Sequence, residues 1–252
     1  MNEMRLINKY LNLLEASLVG TLYKDPPSDP WAGPTYNPAL RTLGRDWPAL
    51  AQTMIGSTRM GNLRHACETT ILDGIPGDFI ETGVWRGGAV IFMRGILKAY
   101  GIEDRRVWVA DSFEGLPNAD FKRYPKESDL ELHAFRDLAV SMEEVQRNFE
   151  RYDLMDDQVR FLKGWFRDTL PSAPITELAV MRLDGDLYES TMDGLVNLYP
   201  KLSVGGFVII DDYNAVKACN AAVEDFRQAR HITTEMIKIS GAGAFWKKEP
   251  GQ

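Results

Sequence analysis

The chain is predicted to fold as an α/β protein: a mainly parallel sheet of seven strands, an antiparallel hairpin at one edge, and a helical extension at the N-terminus. Three observations carry this. From Asp78 onward, short β-prone apolar runs alternate with helical patterns, the rhythm of βαβ units. The last two runs follow one another without a helix between them, so they pair as a hairpin. Two acidic clusters, Asp184-Gly-Asp186 and Asp211-Asp212, each directly follow an apolar run. If those runs are neighbouring parallel strands, both clusters emerge at the carboxyl edge of one sheet, where open α/β folds place their ligands.

Each element has its own signal. Apolar residues at Leu6, Tyr10, Leu13, Leu14 and Leu18 form a helical stripe within Leu6–Leu22. Asp25-Pro-Pro-Ser-Asp-Pro-Trp-Ala-Gly-Pro34 reads as loop, because proline blocks both helix and ladder hydrogen bonds. A second helix covers Thr58–Leu72 and stops before Asp73-Gly-Ile-Pro-Gly77. Strands are expected over Phe79–Val84, Val107–Ser112, Val159–Leu162, Leu178–Leu183, Phe207–Ile210, Met236–Ile239 and Ala244–Lys247. Helices are expected over Ala89–Tyr100, Met142–Tyr152, Thr191–Tyr199 and Ala218–Arg230. Glu114–Ser141 breaks the rhythm, and a long insertion after a strand's carboxyl end suits a lid or binding loop. One domain is expected over 1–252, with 1–77 as extension, 78–252 as core and 114–141 inserted.

Composition narrows the function classes. The 252 residues carry a net charge of -7, with 44% hydrophobic and 26% charged residues. That balance suits a globular protein and argues against binding nucleic acid or an anionic membrane, both of which attract basic surfaces. Cys67 and Cys219 are far apart and in no metal-type spacing, so reduced buried thiols in a cytoplasmic protein are expected. No secretory signal or membrane-spanning run is apparent. Ala89-Val-Ile-Phe-Met93, for example, is broken by Arg94.

The first core strand runs into Glu81-Thr-Gly-Val-Trp-Arg-Gly-Gly88, a glycine-rich turn that opens a helix. It lacks the G-x-G-x-x-G spacing of dinucleotide sites. Asp111, at the end of the next strand, stands where nucleoside-binding folds place a carboxylate on ribose hydroxyls. A nucleoside cofactor without a pyrophosphate fits this turn, and S-adenosylmethionine is one. Trp165-Phe166, closing the third strand, are either core or a stacking surface for a purine.

Asp184, Asp186, Asp211 and Asp212 could be solvated strand ends and helix caps. Two clusters on adjacent strands weigh more toward a metal: strands lie about 4.8 Å apart, close enough for one ion to be bridged. Asp184 and Asp186, two apart, share a side if the chain there stays extended. All-oxygen donors favour Mg²⁺ or Ca²⁺ over zinc. His65 and His231 sit in or beside helices and read as structural. His133, in the insertion, is a minor candidate for a base.

At these residues the chain resembles the TylF-type macrocin O-methyltransferase family, which methylates sugar hydroxyls of natural products. The likeness rests on Asp78-Phe-Ile-Glu-Thr-Gly-Val-Trp-Arg-Gly-Gly88, Ala110-Asp-Ser-Phe-Glu-Gly-Leu-Pro117, Leu183-Asp-Gly-Asp-Leu-Tyr-Glu-Ser-Thr191 and Gly205-Gly-Phe-Val-Ile-Ile-Asp-Asp-Tyr213. Tyr199-Pro-Lys-Leu-Ser and Thr53-Met-Ile-Gly56 extend it. The resemblance implies a Rossmann-like class I methyltransferase fold, with Mg²⁺ held by Asp184, Asp211 and Asp212 and Asp186 as general base. It implies that S-adenosylmethionine lies against Glu81, Thr82, Gly83, Val84, Trp85, Gly87 and Gly88, with Asp111 and Ser112 at its ribose. Thr53, Met54 and Ile55 would close over the cofactor, and Trp165 and Phe166 would flank its adenine. The implied acceptor is a small-molecule glycoside, and the implied assembly a homo-oligomer with the apolar N-terminal helix as a contact surface. Lys24–Asp46 and Asn118–Leu132 are the least family-like stretches. A catechol or phenol methyltransferase of the same fold and a non-catalytic nucleoside-binding protein are the competing readings.

Overall fold

The computed structural model describes residues 2–127 and 131–252. Part of the expected insertion, residues 128–130, lies outside them. Three helices precede the sheet: α1 (Asn2–Leu18), α2 (Pro38–Leu43) and α3 (Gly56–Leu72). The core then runs β1 (Asp78–Thr82), α4 (Gly88–Ala99), β2 (Val107–Asp111), α5 (Met142–Arg151), β3 (Val159–Lys163), α6 (Phe166–Thr169), β4 (Leu178–Leu183), α7 (Tyr188–Leu198), β5 (Leu202–Ile210), α8 (Lys217–Ala229), β6 (Ile237–Ile239) and β7 (Gly243–Lys247).

The seven strands lie in the order β3-β2-β1-β4-β5-β7-β6. β1 to β5 are mutually parallel, and β7 runs antiparallel to both β5 and β6. The edge hairpin is therefore present as expected. Strand residues alternate between two cores, as the period of two requires. Phe79, Val107, Val109, Val180 and Phe207 pack under α1, α3, α4 and α5. Ile80, Trp108, Ala110, Met181 and Val208 pack under α7 and α8. Both faces are covered, which is why these strands read as continuous apolar runs.

The chain leaves β1 toward β2 and β3, then returns to add β4 on the other side. The order reverses between β1 and β4, and the carboxyl ends of these two strands flank the crevice that such a reversal opens.

The differences from expectation have local causes. α1 stops at Leu18, before the expected Leu22, where the chain turns through Gly20 at φ 77. β1 stops at Thr82 because Gly83 takes φ 84. β5 starts at Leu202, five residues earlier than expected, because Gly205-Gly206 hid its first half. α2 was not anticipated, although its signals are in the sequence: Asn37 accepts from the Ala39 and Leu40 N–H groups, Pro38 follows, and Gly44 closes the helix at φ 63.

The Pro-rich segment is loop, as expected, but it is firmly held. Arg41 is fully buried, pairs with Asp46 at 2.7 Å and donates to the carbonyls of Val19 and Asp25, each at 2.9 Å. Asp25 in turn accepts the Leu50 and Ala51 N–H groups at 2.8 Å. This fixes the approach to residues 52–55, which reach the sheet edge. No helix among the described residues is long and apolar enough to cross a membrane.

Candidate active site

The turn after β1 is built on close approach. A Cβ on Gly83 would fall 1.7 Å from the carbonyl oxygen of Asp184 at the end of β4. Gly83 also needs its left-handed φ of 84. Gly87, at φ 86, caps α4, and the Gly88 N–H donates to the Gln52 carbonyl at 2.9 Å. A Cβ on Gly88 would lie 2.6 Å from that same oxygen. The first turn of α4 is thus pressed against residues 52–53. Arg86 completes the junction by donating to the carbonyls of Pro48, Ala49 and Ala51 at 3.0, 3.2 and 3.0 Å. Gly83→Ala is expected to lower affinity for S-adenosylhomocysteine at least tenfold by calorimetry. A variant binding within twofold of the wild type would show that the junction yields more easily than the geometry says.

One cleft gathers residues from the expected cofactor and acidic sets: Met54, Gly83, Trp85, Asp111, Ser112, Trp165, Phe166, Asp184 and Asp186 all line it. Thr53 and Ile55 are buried beside it, and the Ile55 N–H donates to the Thr53 hydroxyl at 3.3 Å. Glu81, Thr82 and Val84 are buried in or beside β1 and are not part of the cleft lining. Trp85 takes φ 48 and donates its indole N–H to the Asp137 carbonyl at 2.8 Å, which ties the turn to the insertion. The Asp111 carboxylate accepts the N–H groups of Val84 and Phe113, each at 2.7 Å. Burial nevertheless raises its pKa above the ordinary value. Ser112 donates to the Gly115 carbonyl at 2.8 Å and so starts the insertion. Gly164, at φ 135, turns the chain after β3 and delivers half-buried Trp165 and Phe166 to the cleft.

The acidic clusters emerge from adjacent parallel strands, with Leu183 and Ile210 in register just before them. Asp184, Asp186 and Asp212 offer oxygens that all lie within 4.8 Å of one another. Asp184 and Asp186 do not meet through an extended strand, however. β4 ends at Leu183, and Asp186 takes φ 54 inside a tight turn. Nor do these aspartates cap α7: the residue preceding it is Leu187, with no side-chain cap. Glu127 fills that role from the insertion, accepting the Tyr188 and Glu189 N–H groups at 2.8 and 3.1 Å.

Two arginines that sequence reading passed over organise the fourth carboxylate. Arg182, one residue from the carboxyl end of β4 and 1% exposed, pairs with Glu81, with Asp184 at 2.9 Å and with Asp211. Arg59 of α3 takes the other oxygen of Asp211 and donates to the carbonyls of Ile55 and Gly44 at 2.8 and 3.2 Å. Burial works against the charge of Arg182, but Asp211, Asp184 and Glu81 hold it protonated. Burial pushes Glu81 up to about 8, against the pull of Arg182, and its second oxygen has no hydrogen-bond partner among the described residues. Asp186 is pushed up to about 7 by burial and by the charges of Asp184 and Asp211. Burial and the same like-charge crowding raise Asp212 well above its ordinary value. Among the described residues, one oxygen of Asp212 is buried without a hydrogen-bond partner.

The histidines stand apart from this cleft. His65 lies within α3 with its ring 5.8 Å from that of Phe207, His231 follows α8, and His133 is exposed in a short 3-10 turn, Leu132–Ala134. Cys67 and Cys219 are buried free thiols, as expected.

The chain is an S-adenosylmethionine-dependent O-methyltransferase built on a Rossmann-like sheet. Residues 18–248 match the family model Macrocin-O-methyltransferase (TylF), and the chain belongs to that family. It is 53% identical, over 95% of its length and 93% of the relative's, to demethyldecarbamoylnovobiocin O-methyltransferase of Streptomyces niveus. It is 48% identical, over 96% and 97%, to mycinamicin III 3''-O-methyltransferase of Micromonospora griseorubida. The solved structure of the O-methyltransferase NovP superposes with a TM-score of 0.93 at 52% identity, covering 96% of this chain and 99% of that one.

Proposed function

We propose that this enzyme methylates a sugar hydroxyl of a glycosylated natural product and requires Mg²⁺. The relatives at about 50% identity support the acceptor class: they include enzymes acting on demethyldecarbamoylnovobiocin and on mycinamicin III. The observation that carries the metal is the meeting of Asp184, Asp186 and Asp212 within 4.8 Å, with one buried Asp212 oxygen left without a partner among the described residues. Three carboxylates crowded this closely repel one another beyond what Arg182 offsets at Asp184, and a hard cation relieves that repulsion. Asp184 and Asp212 belong both to this group and to the ligand set implied by the resemblance. Asp211 is the third ligand by resemblance, and it shares its charge with Arg59 and Arg182.

When bound, the sulfonium donor supplies an electrophilic methyl group and the cation supplies Lewis-acid stabilisation of charge on the acceptor oxygen. The chain's own residues do the rest. Asp186, next to the ligands and lining the cleft, accepts the proton released by the hydroxyl as the oxygen–carbon bond forms and the carbon–sulfur bond breaks. Gly83 and Trp85 shape the donor's seat, Asp111 and Ser112 meet its ribose, and Trp165 and Phe166 flank its adenine. Met54, on the segment held by Thr53 and Ile55, closes the donor side. Leu116, Pro117 and Leu138 wall the cleft from the insertion and exclude water. Fixing donor and acceptor in line removes much of the entropic barrier.

Chelation tests the metal. Stripping with EDTA is expected to lower turnover of a glycoside acceptor at least a hundredfold, with recovery on adding Mg²⁺ and S-adenosylhomocysteine affinity changed less than threefold. Turnover that survives chelation would exclude the metal role.

A further inference from the structure

The turn that carries Asp186 is held from its two ends. On the β4 side, the Asp184 N–H donates to the Thr82 carbonyl at 2.9 Å, which fastens the turn to β1. On the other side the chain enters α7 two residues later, at Tyr188. The first N–H groups of a helix have no partner within it, and the Leu187 side chain supplies none. They are met instead by Glu127 of the insertion, 9% exposed, whose two oxygens accept one N–H each, from Tyr188 and Glu189. A carboxylate there is also favoured by the positive end of the helix dipole. Repulsion among Asp184, Asp186 and Asp212 tends to open the turn, and the two anchors oppose it.

Glu127 belongs to a segment of the insertion that is clasped to α7 and α8. Lys126 pairs with Asp225 of α8 at 2.6 Å, and the same Asp225 oxygen accepts the Tyr188 hydroxyl at 3.0 Å. The Tyr124 ring lies 5.6 Å from that of Tyr188, and Arg123 pairs with Glu189 at 3.5 Å. Arg123 and Lys126 are exposed, and exposed ion pairs hold little. The buried cap of Glu127 is therefore the firm part of this junction. A shift of about 1 Å at a reacting group costs on the order of 10²-fold in rate, so slackening of the cap would be felt at Asp186.

We infer that Glu127 is a positioning residue: by capping α7 it fixes Asp186 for proton transfer, so the chemical step depends on residues 123–127 being docked on α7 and α8. The inference rests on the reading of Asp186 as the base. Glu127 itself stands outside the cleft lining and takes no part in the proton transfer.

The test uses the full chain with Mg²⁺ and single-turnover transfer to the glycoside acceptor of the chelation assay. Glu127→Ala is expected to slow methyl transfer at least tenfold at saturating acceptor. Glu127→Gln should slow it about threefold, since its one carbonyl oxygen can still accept an N–H. S-adenosylhomocysteine affinity should stay within twofold in both variants. Amide hydrogen exchange at Tyr188 and Glu189, measured without acceptor, should quicken at least tenfold in Glu127→Ala. In an Asp186→Asn background, Glu127→Ala should slow transfer less than twofold further, because its effect passes through the missing carboxylate. A merely structural role would slow both backgrounds alike. A Glu127→Ala rate above half that of wild type, unchanged exchange, or the same loss in both backgrounds would overturn the inference while leaving Asp186 as the base. Wild-type turnover in Asp186→Asn alone would overturn both. If Glu127→Ala does not fold, Glu127→Gln in the two backgrounds decides: a loss confined to the Asp186 background supports the inference, and any other result overturns it.

Discussion

Asp186→Asn is expected to lower turnover by roughly 10²- to 10⁴-fold, the usual worth of a positioned general base. The asparagine has nearly the same shape but cannot take a proton. Its backbone sits at φ 54, a conformation that asparagine adopts as readily as aspartate, so the turn should survive. Affinity for S-adenosylhomocysteine should stay within about twofold, because Gly83, Asp111 and the aromatic pair are untouched. Single-turnover measurement of methyl transfer at saturating glycoside and Mg²⁺ separates this from slow product release. A variant with at least a third of the wild-type rate would remove Asp186 as the base.

Arg182→Met should have the largest effect on the fold itself. The arginine is 1% exposed and is shared by Glu81, Asp184 and Asp211 at the carboxyl ends of the central strands. Methionine fills much the same space but leaves those buried carboxylates without their common cation. Breaking a buried ion pair from one side costs about 3–5 kcal/mol. Guanidinium unfolding should show a loss in that range at neutral pH. Because the groups left unpaired are carboxylates, part of the loss should be recovered as the pH falls and they become protonated. A loss below about 1 kcal/mol would mean that water or Arg59 can replace the missing charge.

The sheet was legible because its signal is local. Apolar runs of the right length, separated by helical periodicity, prescribe βαβ units, and both covered faces follow from strands that are apolar throughout. The carboxyl-edge clusters were legible for the same reason: Leu183 and Ile210 end neighbouring runs, and the residues immediately after them must share an edge. The turn at Gly83 was visible as a glycine, but not the contact that demands it, since Asp184 lies about a hundred residues away in sequence. Arg182 was hidden by its setting. A single charge inside Leu-Ala-Val-Met-Arg-Leu is easily taken for an edge position, although three carboxylates at the ends of β1, β4 and β5 could have identified it as their counter-ion. Arg59 and Glu127 gave less signal still. Each acts on an element far along the chain, and nothing local distinguishes a helix arginine or a loop glutamate that does so. The expectation that Asp184 and Asp186 share a side of an extended strand failed because β4 ends at Leu183 and Asp186 turns the chain at φ 54, and the turn brings their oxygens together by another route.

The abutment of Gly83 on the Asp184 carbonyl has a consequence for how such enzymes diversify. The turn after β1 and the acidic cluster are welded at one backbone contact that tolerates no side chain, so neither can be shifted to suit a new molecule without dislodging the other. Novel acceptors must then be accommodated by exchanging the peripheral segments hung around that fixed joint. Relatives with different chemical targets would keep the joint and vary the loops, as tools change on a common handle.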